Sequence, residues 1–405
     1  MTRNAKSGML SDLELRNKTF AENAAKQDPR PTTIQWKIKL LREELKKRVL
    51  ERDEVIDGAI IALLARVNIF LLGRPGTAKT FLANLLCKAI TGAKYFEYLM
   101  KRGTKLEELY GPLKLSKLAN DQYIYNTKNR LPEADIVFLD ETWKTGSGTG
   151  NALLKNLNEH EFENDGIMVP IPMITCFGAS NELPESAELD AIYDRFLLRY
   201  EVQYIADSDN FKKMIKMRRN GNKTPIQNTI TLAELKEAQQ EVAAFSDEGV
   251  EDILNELKNR FTQAGHVYSD RRWQAAVDVL CTAAWLEGRT KVSYVDVSKL
   301  DAIFWDLPEQ KREVRRIVLA FSNPDLQAAL ELLDQAVSIA EEAKKTAATL
   351  IAQGKKAYDV GGEANNKLGE LKTRLEHLTA STRRDEVIEQ VRLLMREVQQ
   401  KCLGI

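Results

Sequence analysis

Between Val67 and Asn181 the chain alternates short apolar runs with longer segments whose apolar residues recur at helical spacing. VNIFLLG (67–73), KYFEYLM (94–100) and DIVFLDE (135–141) read as strands, the first and last of them buried. An unbroken apolar run of that length suits a strand covered on both faces. TFLANLLCKAI (80–90) and GNALLKNLNEHEF (150–162) read as helices, and TKLEELYG (104–111) as a short helix closed by Gly111 and Pro112. LKLSKLANDQYIYNT (113–127) alternates on both sides of Asn120–Asp121 and predicts a β-hairpin. NDGIMVPIPMITCFGASN (164–181) predicts a hairpin turn followed by a further strand. Strands alternating with helices in this way predict an α/β fold, a parallel sheet with helices on both faces.

On either side the pattern changes. Residues 1–32 are polar and predict a flexible basic arm, and a helical pattern then runs from Thr33 to Arg66, broken at the charged ERDE of Glu51–Glu54. After Tyr200 the signals are helical. Thr231-Leu-Ala-Glu234 and Ser293-Tyr-Val-Asp296 carry the S/T-x-x-acid signature of helix starts. From Pro324 onward the chain is rich in Ala, Leu, Glu and Lys. Leu368, Leu371, Leu375 and Leu378, then Val387, Val391, Leu394 and Val398, form heptad seams. Gly361–Gly362 marks a reversal, so a helical hairpin or short coiled coil is expected. The expected division is an arm (1–32), an α/β domain (33–205), an all-helical domain (206–305) and a C-terminal helical region (306–405).

Composition narrows the function classes. Among 405 residues, 59 Lys and Arg balance 59 Asp and Glu, so no global field draws the protein to nucleic acid or an anionic membrane. Residues 1–50 are the exception, with 12 basic against 6 acidic side chains. Four scattered cysteines without a CxxC pair, and three histidines, argue against a zinc site and for free thiols. No apolar run reaches the ~18 residues of a membrane span, and MTRNAKSGMLSDLEL lacks an apolar signal core. A cytoplasmic protein is expected.

The chemistry gathers at the strand ends. GRPGTAKTF (Gly73–Phe81) follows the first strand and approximates the phosphate loop G-x-x-x-x-G-K-[ST], with Ala78 in place of the second glycine. Such a loop directs backbone N–H groups at phosphate oxygens, Lys79 would reach the β- and γ-phosphates, and Thr80 would ligate Mg²⁺. Alanine is expected to carry no steric cost at position 78 if its φ is helical. DIVFLDE then delivers Asp140 and Glu141 about sixty residues downstream, one acid suited to Mg²⁺ and the other to the attacking water. Asn181 ends another strand, either near the γ-phosphate or as a turn residue. Arg195 and Arg199, four apart, could meet transition-state charge or form salt bridges on a helix face. In YSDRRWQ, Arg271 or Arg272 stands unfavourably in a helix's first turn, a hint of an arginine facing phosphate.

GRPGTAKT, IVFLDE, GASN, YDRF and SDRR in this order resemble the MoxR family of AAA+ ATPases, over about residues 33–305. FEYLMKRGTKLEELYGPL, LPEADIVFLDETWK, ASNELPE and AIYDRFLLR bring the resemblance closest to its RavA-like branch. The resemblance implies an AAA+ core followed by a helical lid, with ATP and Mg²⁺ as cofactors. It implies Gly73, Arg74, Pro75, Gly76, Thr77, Ala78, Lys79, Thr80 and Phe81 as the nucleotide loop, Thr80 and Asp140 as metal ligands, and Glu141 as the catalytic glutamate of the Walker B pair. Asn181 would be sensor 1, Arg195 the arginine finger in trans, and Arg271 sensor 2 on the lid.

The resemblance also implies a homo-oligomer, a hexameric ring with chaperone-like remodelling activity, often beside a partner carrying a von Willebrand A domain. GPLKLSKLANDQYIYNT would be the family's hairpin insertion near helix 2. Residues 306–405 depart from the RavA-like branch, since they read as helix with no room for its β-rich insertion. The competing expectation is a nucleic-acid-stimulated motor. Balanced charge argues against nucleic acid, and the basic arm alone argues for it.

Overall fold

A computed structural model describes residues 32–219, 225–353, 357–378 and 382–403. Of the predicted basic arm only Thr32 falls among them, where its side chain and Gln35 form the capping box that opens helix α1 (Thr33–Arg48). The chain divides into two compact units, the first ending at Lys311 and the second beginning at Arg312.

In the first unit, α2 (Asp53–Ala65) leads into β1 (Asn68–Leu72), and the phosphate-loop segment into α3 (Lys79–Ala89). The chain continues through β2 (Ile90–Thr91), β3 (Tyr95–Leu99), α4 (Leu106–Tyr110), α5 (Leu115–Leu118) and β4 (Ile136–Asp140). Then come α6 (Ser147–Asn158), the hairpin β5 (Glu161–Asn164) and β6 (Ile167–Pro170), β7 (Thr175–Ser180), α7 (Ala187–Tyr193) and β8 (Phe196–Glu201). The main sheet is parallel throughout, in the order β3-β4-β7-β1-β8. β1 and β7 are buried along their whole length, and β4 up to Asp140, as expected of strands covered on both faces. Register aligns the strand ends: Asp140 lies opposite Ala179, and Leu72 opposite both Ser180 and Glu201. The chain therefore leaves β1, β4 and β7 along one carboxyl edge, where open α/β sheets bind ligands.

The sheet's fifth strand departs from expectation. Phe196–Glu201 is β8, although Arg199 within it and Arg195 just before it, four apart, suggest a helix face. The predicted hairpin at 113–127 is also absent. Leu115–Leu118 form one helical turn, and a single antiparallel bridge joins Leu113 to Tyr125. Amides of Lys117 and Leu118 turn back onto the Lys114 carbonyl, so the backbone satisfies itself locally before a second strand can pair. The predicted hairpin around Asp165–Gly166 is present, with both residues at positive φ.

α8 (Ser208–Arg219), the two-residue β9 (Ile230–Thr231), α9 (Leu232–Ala243), α10 (Val250–Gln263), α11 (Asp270–Leu286) and a 3₁₀ helix (Tyr294–Ala302) complete this unit. Both predicted capping boxes, Thr231 with Glu234 and Ser293 with Asp296, are formed. Asp57, buried in α2, ties three elements: Arg42 at 2.7 and 2.8 Å, Lys46 at 2.8 Å and Lys299 at 3.2 Å. Burial alone would raise its carboxyl, but the Arg42 hydrogen bonds, the Lys299 and Arg42 charges and the Lys46 hydrogen bond prevail and lower it to about 2.

The second unit is helical. It begins in α12 (Lys311–Ser322) and continues as α13 (Pro324–Ala352), α14 (Tyr358–Glu376) and α15 (Thr382–Val398), closed by a π-helical turn, Gln399–Leu403. Leu368, Leu371 and Leu375 share a core with Val387, Val391 and Val398, so both predicted seams face inward. They pack on an alanine stripe of α13 (Ala329, Ala336, Ala340, Ala343, Ala347) that lets the helices approach closely. Gly361 and Gly362 lie inside α14 and not at a reversal. Glycine in a helix interior costs only about 1 kcal/mol, which packing of the leucine seam outweighs.

Candidate functional site

The segment after β1 bends as a phosphate loop does. Gly76 has φ 82°, and a Cβ there would meet nothing within 4 Å, so the bend is open on its outer side. Gly73 is confined instead, because a Cβ would lie 2.3 Å from the Val202 carbonyl oxygen. Its amide donates to the Ser180 carbonyl at 3.0 Å, fastening the loop to the end of β7. Ala78 corrects the sequence reading. Its φ is 71° and its ψ 24°, the left-handed region, so alanine is strained here by about 1 kcal/mol rather than free of cost.

Lys79 opens α3 and curls its ammonium back onto the Gly73 and Arg74 carbonyls. Burial pushes that ammonium below its usual range, opposed by the charges of Asp140 and Glu141. Thr80 Oγ1 stands 3.5 Å from Asp140 Oδ2. Glu141 follows in a left-handed conformation, φ 51°, with Lys144 Nζ 3.2 Å from its Oε2. Asn181 is exposed at the same edge, directly after Ser180. Lys79, Thr80, Asp140 and Glu141 thus come together from β1 and β4, and Asn181 stands at the end of β7 on the same edge.

Arg195 and Arg271 find their partners in α7 and the turn after it, where Arg195 Nη1 donates to the Ala191 carbonyl at 2.9 Å. Arg271 Nη1 donates to Asp194 Oδ2 at 2.7 Å, and its charge, after burial, is what depresses the neighbouring Arg195 guanidinium. Arg272 is buried between Asp194 and Asp306. Arg199 is fully buried in β8, paired with Asp306 and stacked 3.7 Å from the Tyr193 ring, so its partners are internal. Arg271 keeps 36% of its side chain exposed.

A cavity of about 980 Å³ adjoins the loop, lined by Gly76, Thr77, Ala78 and Phe81. Its other walls are the α1–α2 turn (Val49–Arg52), Tyr204, and the apolar side of α8 with Phe211 and Met214. Sequence reasoning missed these walls. Tyr204 Oη donates to the Pro75 carbonyl at 3.1 Å. Glu51, at φ 57°, accepts from the amides of Ala206 and Asp207 at 2.9 and 3.1 Å. The ERDE break was the signal: a turn between helices, one helix ahead of the phosphate-loop strand.

Two hard oxygen donors, Thr80 and Asp140, fit Mg²⁺, which takes few protein ligands and completes its shell from phosphate and water. Among the described residues no group of three or more His, Cys, Asp or Glu forms a metal cluster. No helix among them is long and apolar enough to cross a membrane.

The family model for the MoxR domain of MoxR-vWA-beta-propeller ternary systems matches residues 36–240, and that for an AAA lid domain matches 249–318. Two uncharacterized proteins of Methanocaldococcus jannaschii are similar over most of both chains. MJ0079 is 36% identical, covering 80% of this chain and 85% of its own, and MJ0812 is 34% identical, covering 87% and 94%. A structural protein of Acidianus two-tailed virus, ORF618, is 27% identical over 52% of this chain and 35% of its own. A crystal structure from Cytophaga hutchinsonii, described as a candidate ATPase, superposes with a TM-score of 0.58 at 19% identity, covering 76% of this chain and 97% of its own.

Proposed function

Since the chain belongs to the MoxR family of AAA+ ATPases, we propose that it binds ATP at Gly73–Phe81 and hydrolyses it with Glu141 as the base. The observation that carries this is the meeting of Lys79, Thr80, Asp140 and Glu141 at one edge of the sheet. Lys79 would exchange its two loop carbonyls for β- and γ-phosphate oxygens. Thr80 and Asp140 would hold Mg²⁺, whose charge offsets that of the phosphates when bound. Glu141 takes the proton of the attacking water, and Asn181 orients that water. The cavity between the loop, the α1–α2 turn and α8 has the apolar walls a nucleoside base needs.

Arg195 serves as the arginine finger and Arg271 as sensor 2. Both adjoin Asp194, a counter-ion that a neighbouring subunit's phosphate could replace, which supports action across the subunit interface of a hexameric ring. Hydrolysis would then drive chaperone-like remodelling of protein partners in the cytoplasm. The matched family's description supports a von Willebrand A domain partner. DETWK and ASNELPE support placement near the RavA-like branch.

Glu141→Gln tests the assignment. The variant should keep ATP affinity and lose turnover by roughly 10²-fold or more, read as phosphate release beside equilibrium binding of labelled nucleotide. Normal turnover would remove Glu141 from the mechanism.

A further inference from the structure

We infer that Lys144 is a positioning residue for Glu141, an inference that rests on the hydrolytic reading above. Glu141 enters the site in a conformation that few residues adopt, φ 51° and ψ 45°. Such a backbone persists only where its surroundings over-determine it, and the next three residues each contribute.

Thr142 is buried, and its hydroxyl donates to the Leu139 carbonyl at 2.9 Å and accepts from the Ala179 amide at 3.1 Å. It therefore stitches the end of β4 to the end of β7 where strand pairing stops. Trp143 is wedged among Phe70, Tyr193 and Phe196, with ring centroids 4.9, 5.5 and 6.0 Å away. The Lys144 amide closes a 3₁₀ turn, Thr142–Lys144, on the Glu141 carbonyl at 2.9 Å. These contacts fix the backbone and leave the carboxylate to be aimed.

The Lys144 ammonium supplies that last constraint. It stands 3.2 Å from Glu141 Oε2, and Oε2 is buried with no aligned hydrogen bond. The surface that Glu141 keeps exposed lies elsewhere on the side chain, so the oxygen held by Lys144 is not the one offered to water. A base whose second oxygen is held by a third group meets the requirement that a catalytic base be oriented as well as basic. Lys144 is 43% exposed, so replacing it removes an ammonium and little packing.

The experiment compares wild type, Lys144→Met and Lys144→Arg in the full-length chain by steady-state ATP hydrolysis, equilibrium binding of labelled ATP and thermal unfolding. Lys144→Met should lower kcat at least tenfold, towards the ~10²-fold that a misplaced group can cost. Its ATP affinity and unfolding midpoint should match wild type, and Lys144→Arg should recover most of kcat. An unchanged or raised kcat in Lys144→Met would overturn the inference. So would a parallel loss of ATP affinity, which would place Lys144 on the nucleotide itself. Glu141→Gln is run alongside. If it turns over normally, the hydrolytic reading fails and this inference falls with it; if it is inactive while Lys144→Met is normal, only the inference fails.

Discussion

At Ala78 the backbone needs a conformation that glycine adopts freely, and the chain nonetheless carries a methyl group there. The lysine and hydroxyl of the loop were legible because their order along the chain is itself the pattern. The φ of residue 78 was not, since alanine more often signals a helix. Replacing Ala78 with glycine should stabilise the protein by roughly 0.5 kcal/mol, because relief of the left-handed strain exceeds the extra freedom of the unfolded chain. Thermal or urea unfolding checks this, and a lowered midpoint would contradict it. Glu51 and Glu141 were equally opaque at this scale, for a glutamate at positive φ leaves no mark in the letters. Both lie where the chain turns into or beside the candidate site.

Elements were read well where burial is symmetric and poorly where it is not. β1, β4 and β7 are buried almost throughout, and the apolar stretches within them identified them. β8 carries Arg199 at its centre, and a buried arginine compensated by Asp306 and the Trp305 carbonyl breaks the apolar pattern that marks a strand. The partner of Asp57 was likewise invisible, because Lys299 is more than two hundred residues away. That carboxylate holds α1, α2 and the 3₁₀ helix together, and a pKa lowered from 3.8 to about 2 makes it an acid-sensitive joint. Its contribution is complete above the unfolded value near 3.8 and disappears as pH falls through about 2. Asp57→Asn should cost roughly 2–3 kcal/mol at neutral pH, since it leaves three cations facing a neutral amide. The deficit should shrink between pH 4 and pH 2, followed as urea midpoints; a deficit independent of pH would assign the loss to packing.

At the scale of the whole molecule, the order of motifs was legible from end to end: phosphate loop, acidic strand end, asparagine strand end, then two arginine turns. What the order could not reveal is that Arg271 pairs with Asp194, the residue before Arg195, while Lys79, Thr80, Asp140 and Glu141 gather at the loop. That separation is what a ring would exploit, with each subunit offering phosphate ligands on one side and arginines on another. The second unit contributes helices packed on an alanine stripe that the sequence reading did not single out, because alanine is also the commonest filler of exposed helix. The measurement that bears most directly on the central claim is phosphate release from ATP by wild type, Lys79→Ala, Arg195→Ala and an equal mixture of the two variants. Wild type should turn over and each variant alone should not. The mixture should recover activity, because about a quarter of its interfaces pair an intact loop with an intact finger. Turnover by Lys79→Ala equal to wild type would contradict the account.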